Sequence, residues 1–204
     1  YGVLATFAMG ASAANSWGAV LLTRNFGFTP ASAGKSIGSG QLLWATVGAL
    51  VASLLVDRVT RRGGSVGKIR FAALLALLAI PSCLAGLAGS SGFAVAMLAE
   101  IMFASALFGT TMLSVIMEVS PPDARGLAVA LYAFVMTMIG GSLGPLFVAV
   151  LTEHVFHDAA AVGWSMAFMG TLALSLSALL AVIAARALTA ERMLSASQAA
   201  RAAE

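Results

Sequence analysis

Leu54-Leu55-Val56-Asp57-Arg58-Val59-Thr60-Arg61-Arg62-Gly63-Gly64 wedges four charged side chains between two long apolar runs, with Lys68 and Arg70 just beyond. A basic cluster beside an apolar run of spanning length marks the cytoplasmic side of a membrane, because basic loops are retained there during insertion. The stretch therefore predicts a charged cytoplasmic loop joining two membrane spans. The remainder of the chain is oriented from it.

Composition agrees with that reading. The 204 residues are 60% hydrophobic and only 9% charged, with a mean hydropathy of +0.99, which excludes a soluble domain of this length. The net charge of +3 sits mostly in short loops and the tail, so it reports topology rather than a nucleic-acid partner. Cys83 is the single cysteine and lies inside an apolar run, which rules out a disulfide, zinc site or redox pair within the chain. It reads as a packing residue, and no cofactor is expected. The first apolar run has the length of a full span and lacks a basic leader or a small-residue cleavage pattern, so it is not a signal peptide. Because the chain opens on Tyr1, further sequence is expected upstream.

A spanning helix needs about 20 mainly apolar residues. Six stretches qualify: residues 2–23, 30–56, 71–87, 93–117, 127–151 and 162–185. Thr29-Pro30 reads as an N-cap followed by proline in the first turn of the second helix, whose Gly34, Gly38 and Gly48 allow another helix to approach. Pro81 should kink the third span or be covered by a neighbour. Gly89 to Gly92 and Ser120 to Gly126 read as breaks in the chain. The expected fold is an all-α membrane protein with six transmembrane helices forming one bundle over residues 1–187, followed by a cytoplasmic tail at 188–204. With the Asp57 loop inside, Arg58, Arg61, Arg62, Lys68, Arg70, Arg125, Arg186, Arg192 and Arg201 all face the cytoplasm. Only Arg24 and Lys35 lie outside, and nine against two is strong bias. Both ends are then cytoplasmic.

Three stretches carry a family resemblance. Leu55, Asp57, Arg58, Arg61 and Arg62 match the major facilitator superfamily's loop motif, Gly-x-Leu-Ala-Asp-Arg-x-Gly-Arg-Arg, while Ser53 and Thr60 stand where the family has glycine, as in the weaker copy found in the second half of such transporters. Pro121-Pro122-Asp123-Ala124-Arg125-Gly126-Leu127-Ala128 resembles that half's Pro-x-x-x-Arg-Gly-x-Ala entry to its fifth helix. Gly140-Gly141-Ser142-Leu143-Gly144-Pro145 is similar to the Gly-x-x-x-Gly-Pro part of the antiporter-type motif, and it serves as a helix-packing motif. Val148 and Ala149 replace the glycines that complete that motif, so antiport is not implied. Leu22-Thr23-Arg24, the Gly34 to Gly38 segment and Glu100 look spinster-like. The resemblance covers essentially the whole chain and implies helices seven to twelve of a twelve-helix carrier in a bacterial inner (plasma) membrane. Its partners are then the lipid bilayer, a small-molecule substrate, protons as the candidate coupling ion, and an N-terminal six-helix half.

Residue chemistry supplies the candidate sites. Asp57 beside Arg58, Arg61 and Arg62 can form a cytoplasmic ionic cluster that latches one conformation, or it can anchor topology alone, since exposed pairs contribute little stability. Arg125 with Glu118 is a second candidate pair. Transport sites lie near the bilayer midplane. At about 1.5 Å per residue, Asn15, Gln41 and Glu100 fall roughly 15, 16 and 12 Å from the outer ends of their helices, so the three can share one layer. Glu100 is the ionisable residue well inside a span, and its cost there makes it a candidate proton carrier or partner for a cationic group, against the alternative of a hydrogen bond to a neighbouring helix. Asn15 and Gln41 serve equally well as interhelical hydrogen-bond partners. Trp17, Trp44 and Tyr132 read first as packing or interface anchors. His154 and His157, with Glu153 and Asp158, have a spacing that can hold a metal loosely, but a solvated outer loop is the favoured reading and no metal site is assigned.

The functional reading is a secondary active transporter of a small organic or amphipathic solute working by alternating access, and not an enzyme. A membrane channel or structural subunit is the alternative, although nothing resembles a selectivity filter. An intramembrane serine protease using Gly38-Ser39-Gly40 is weaker still, because it needs a histidine within a helix and both histidines fall in one outer loop.

Overall fold

The computed structural model describes residues 1–202, with the side chains of 192, 195–197 and 199–202 outside the description. The inward placement expected of Arg192 and Arg201 falls on those side chains. The described chain is built of helices joined by short connections. Four of its helical stretches are long and apolar enough to cross a membrane: Pro30–Leu87, Ser91–Val119, Arg125–Val155 and Ala159–Glu191.

Helix α1 (Gly2–Phe26) is about 37 Å long at the standard rise. It ends at Gly27, whose left-handed φ of 69° lets its N–H reach back to the Leu22 carbonyl. Thr29 then caps α2 (Pro30–Leu78), its hydroxyl accepting the Ser32 N–H, and Pro30 occupies the first turn as its fixed φ favours.

The charged stretch departs from expectation. It is helical as far as Gly63, so no loop intervenes where one was expected, and the next helical segment begins before Phe71. Nothing between Val56 and Gly63 stops a helix, and arginine is among the better helix formers. The break is confined to Gly64, at φ 55° and ψ −146°, a region that only glycine enters without strain. A straight rod from Pro30 to Leu87 would measure about 87 Å against a hydrocarbon core of about 30 Å, and neighbouring contacts show the chain folding back. Along the first arm (30–63), Gly40 faces Met102 and Gly48 faces Phe103 and Ala106, so this arm runs parallel to α4 (Ser91–Val119). Along the second arm (65–78) the order is reversed. Ser65 and Lys68 meet Glu118 and Ser114, and further on Ser82 and Cys83 lie against Glu100.

The helix is interrupted at Ala79, just before Pro81, as the proline led one to expect. Pro81 sits in the first turn of a new short helix, α3 (Ile80–Cys83), where its missing N–H is harmless. A 3-10 segment, Leu84–Leu87, follows. Ser90 caps α4 by accepting the Phe93 N–H at 3.3 Å. The helix from Arg125 to Val155 comprises α5 (Arg125–Phe134), a π segment (Val135–Gly140), α6 (Gly141–Val150) and a second π segment (Leu151–Val155). The last helix, α7 (Val162–Ala202), runs on without a break into the expected tail.

Helix α1 is the packing centre. Phe7 stacks on Phe108 of α4, with ring centroids 3.6 Å apart. Gly10 lies under Leu174 of α7, whose Ser177 donates a 2.8 Å bond to the Val3 carbonyl. Gly18 faces Leu98 of α4 and Ile37 of α2. Cys83 is buried against Gly170 and acts as a packing residue, as expected. By contrast Leu42, Leu50, Leu54, Leu77, Leu127, Phe134 and Leu172 are exposed, as suits a surface that meets lipid or another apolar partner.

Candidate transport site

The three polar residues expected to share a layer differ in their surroundings. Asn15 is partly buried on α1, and its Oδ1 has no hydrogen-bond partner among the described residues. Gln41 is exposed on the first arm of α2. Glu100 lies about 14 Å along α4 from its start, half-buried, with Oε2 enclosed and unpartnered. At 100° per residue, Glu100 stands about 200° round α4 from Leu98, which packs on Gly18 of α1. It therefore faces Ser82 and Cys83 of α3 rather than Asn15. An apolar cavity of about 450 Å³ opens beside it, lined by Trp44 and by α4.

A second cavity, about 320 Å³, lies at the C-terminal end of α1, where Trp17 and Arg24 meet Thr152, Glu153, His157 and Asp158. Arg24 and Asn25 tether the loop above it by donating to the Ala159 and Ala160 carbonyls at 3.2 and 3.1 Å. Trp17 is held by a 3.0 Å bond from its indole to the Pro145 carbonyl, an anchoring role. Tyr132 donates a long 3.4 Å bond to the Gly109 carbonyl. Ser39 donates within its own helix, to the Ser36 carbonyl.

At the end of the bundle that carries the Asp57 stretch, the charges arrange themselves differently from the expected cluster. Asp57, Arg58, Arg61 and Arg62 are all exposed, and among the described residues none of them forms an ion pair. The ion pair among the described residues is Lys68 to Glu118, at 2.8 Å. Lys68 also donates to Ser114 at 2.8 Å, and Ser65 to Glu118 at 2.8 Å, so one face of the second arm clasps the end of α4. Lys68 is 6% exposed and Glu118 39%. Arg125 is exposed at the start of α5 and is not paired with Glu118, the pairing expected from the sequence. Composition concealed this clasp because Lys68 reads as one more loop cation. The usable signal was positional: Ser65 and Lys68, three apart, share one helix face, as do Ser114 and Glu118, four apart.

The glycine-proline motif is a seam. A side chain at Gly140 would strike Ala8, and one at Gly144 would strike the Met9 carbonyl and Ser12 hydroxyl, so only glycine admits α1 this closely. Pro145 has no N–H for the carbonyl one turn before it, and α1 supplies donors in that region: Ser12 to the Gly140 carbonyl and Trp17 to that of Pro145. Of the second helix's glycines, Gly48 meets a neighbouring backbone, whereas Gly34 and Gly38 face open space.

Residues 2–203 match the family model of the Major Facilitator Superfamily. The chain belongs to the major facilitator superfamily. No curated protein matches it. As a major facilitator protein it is an integral membrane protein of a family of transporters. Within that family membership, the Gly140-Gly144-Pro145 seam, the Lys68-Glu118 clasp and the unpartnered atoms of Asn15 and Glu100 are the features from which its work can be argued.

Proposed function

We propose that this chain is the C-terminal six-helix half of a secondary active transporter that moves a small organic or amphipathic solute by alternating access, with protons as the candidate coupling ion. The fold-back at Gly64 supports six crossings: α1, the two arms of α2 with α3, α4, the helix from Arg125 to Val155, and α7. In this topology the Asp57 end faces the cytoplasm of a bacterial inner membrane, as do both ends of the segment, and a second six-helix half completes the solute pathway. The spinster-like features would make the solute amphipathic.

The observation that carries the reading is that Asn15 Oδ1 and Glu100 Oε2 are enclosed and unpartnered inside a lipid-embedded bundle, two of four such atoms among the described residues with the Ser105 and Thr171 hydroxyls. Each costs about 1–3 kcal/mol where nothing pairs with it, and intramembrane polar groups of this kind mark solute and proton paths. Glu100 is then the carboxyl that meets a proton or a cationic solute. Asn15 and the exposed Gln41 present hydrogen-bonding groups to the pathway. Asp57, Arg58, Arg61, Arg62 and Arg125, without an ion-pair partner among the described residues, form the cytoplasmic gating surface and are available to the other half in one state of the cycle.

Reconstitution of the full-length protein into proteoliposomes tests this. With a panel of labelled organic amphiphiles, at least one should show saturable uptake and acceleration by unlabelled solute on the far side. Uptake that stays linear in concentration with no such acceleration overturns the carrier in favour of a channel.

A further inference from the structure

We propose that the cavity at the C-terminal end of α1 binds a small water-soluble zwitterion, its anionic end on Arg24 and its ammonium end on Glu153. Opposite charges line this one space of about 320 Å³, Arg24 from α1 and Glu153 and Asp158 from beyond α6, yet among the described residues Arg24 pairs with neither carboxylate. The charges are held apart across a gap, and a molecule carrying both signs spans it. Arg24 spends one of its five N–H groups on the Ala159 carbonyl, at 3.2 Å. The Asp158 carboxylate is already engaged, accepting the Ala160 N–H at 2.9 Å. The Glu153 side chain makes no hydrogen bond or ion pair among the described residues, which leaves it to receive a ligand's ammonium.

The rest of the wall is built beforehand. Trp17 is pinned by its indole bond to the Pro145 carbonyl, and Thr152, only 4% exposed, bonds the Val148 carbonyl and the Ser165 hydroxyl, each at 2.8 Å. Side chains already fixed lose little freedom when a ligand arrives. The volume lies at the lower end of the range of about 300–1,000 Å³ for small-molecule sites, which suits a ligand of amino-acid size. The charge pattern narrows the class further. One cation against two carboxylates disfavours a simple anion, and the guanidinium disfavours a simple amine or a metal ion. Nor do Glu153, His157 and Asp158 form a metal-holding group among the described residues. A carboxylate on the ligand meets Arg24 in the forked geometry that a guanidinium favours, and the ammonium makes a second charge-assisted bond to Glu153. The carrier reading rests on Asn15 and Glu100, neither of which lines this cavity, so the site is measured as binding and not as transport.

The full-length protein in lipid nanodiscs, which leave both membrane faces open to solvent, is titrated with glycine, β-alanine and γ-aminobutyrate, each beside the acid and the amine of matching chain length. Binding is followed by saturation-transfer NMR. At least one zwitterion should bind about tenfold more tightly than its singly charged counterparts, or tighter still. Glu153→Gln, at an exposed position without a partner, should reduce that zwitterion to the level of the acid. Ala149→Phe, which fills the cavity and leaves every charge in place, should abolish its binding, and E153Q alone decides if A149F does not fold. No binding up to about 10 mM, zwitterions held no more tightly than the acid or amine, or binding that survives in either variant overturns the proposal and leaves a hydrated vestibule. Such a failure does not touch the carrier reading, whereas binding as expected beside absent solute uptake would keep this site and remove the carrier.

Discussion

At the scale of single residues, the deciding feature is which polar groups are satisfied. Lys68 is nearly enclosed and is held by Glu118 and Ser114. Removing its counter-charge with Glu118→Gln leaves a buried ammonium with weaker partners, which should lower stability by about 1–3 kcal/mol; the partial exposure of Glu118 keeps the loss below that of a fully buried pair. Thermal unfolding in detergent checks this, and an unchanged midpoint would mean that the clasp contributes nothing. Asp57→Asn, at an exposed position with no ion-pair partner among the described residues, should leave the same midpoint in place. Glu100 makes the opposite case, an acidic group with an oxygen left unsatisfied. Glu100→Gln should impair transport driven by an imposed pH gradient while the protein still accumulates in the membrane. Transport that keeps its pH dependence in the variant would remove Glu100 from the mechanism.

At the scale of elements, two glycines set how helices meet. Gly64 reverses the chain between the arms of α2. Gly64→Ala forces a Cβ into a backbone region that L residues avoid, at a cost of about 1–3 kcal/mol, so the yield of monodisperse protein on size exclusion should fall. At Gly63, immediately before it, a Cβ meets nothing within 4 Å, and Gly63→Ala is the matched control. Gly144 admits α1 against α6, and Gly144→Ala drives a methyl into the Met9 backbone, which cannot yield as a side chain can. The expected loss is about 1–3 kcal/mol, read from unfolding by denaturant. Gly34→Ala, where the added methyl meets nothing, should be neutral or slightly stabilising through helix propensity.

At the scale of the whole molecule, the testable quantity is topology. In a Cys83→Ser background, Lys35→Cys and Arg61→Cys place single thiols near opposite ends of the first arm of α2. Membrane-impermeant maleimide should label position 35 from outside intact cells and position 61 only after the inner face is opened. Labelling of both from one side would refute the proposed six crossings. Trp17 and Arg24 lie at the outer end in the same scheme, with the Arg24 and Asn25 tethers holding the loop over the second cavity.

The residues alone determined that the chain lives in a membrane, that it is helical, and where the cap at Thr29-Pro30 and the breaks at Gly89 to Gly92 and from Ser120 fall. Those properties follow from hydropathy and from local backbone chemistry, which act over a few residues. They also carried the family, because its motifs are short and contiguous. The tertiary structure alone decided that the helix entered at Pro30 continues through Arg62 to Gly64, that Glu118 pairs with Lys68 rather than Arg125, and that Glu100 turns toward α3 instead of Asn15. A one-dimensional estimate gives depth along a helix but not the rotation of that helix about its axis. Rotation is set by packing partners remote in sequence, among them Leu98 on Gly18, Phe108 on Phe7 and Phe103 on Gly48.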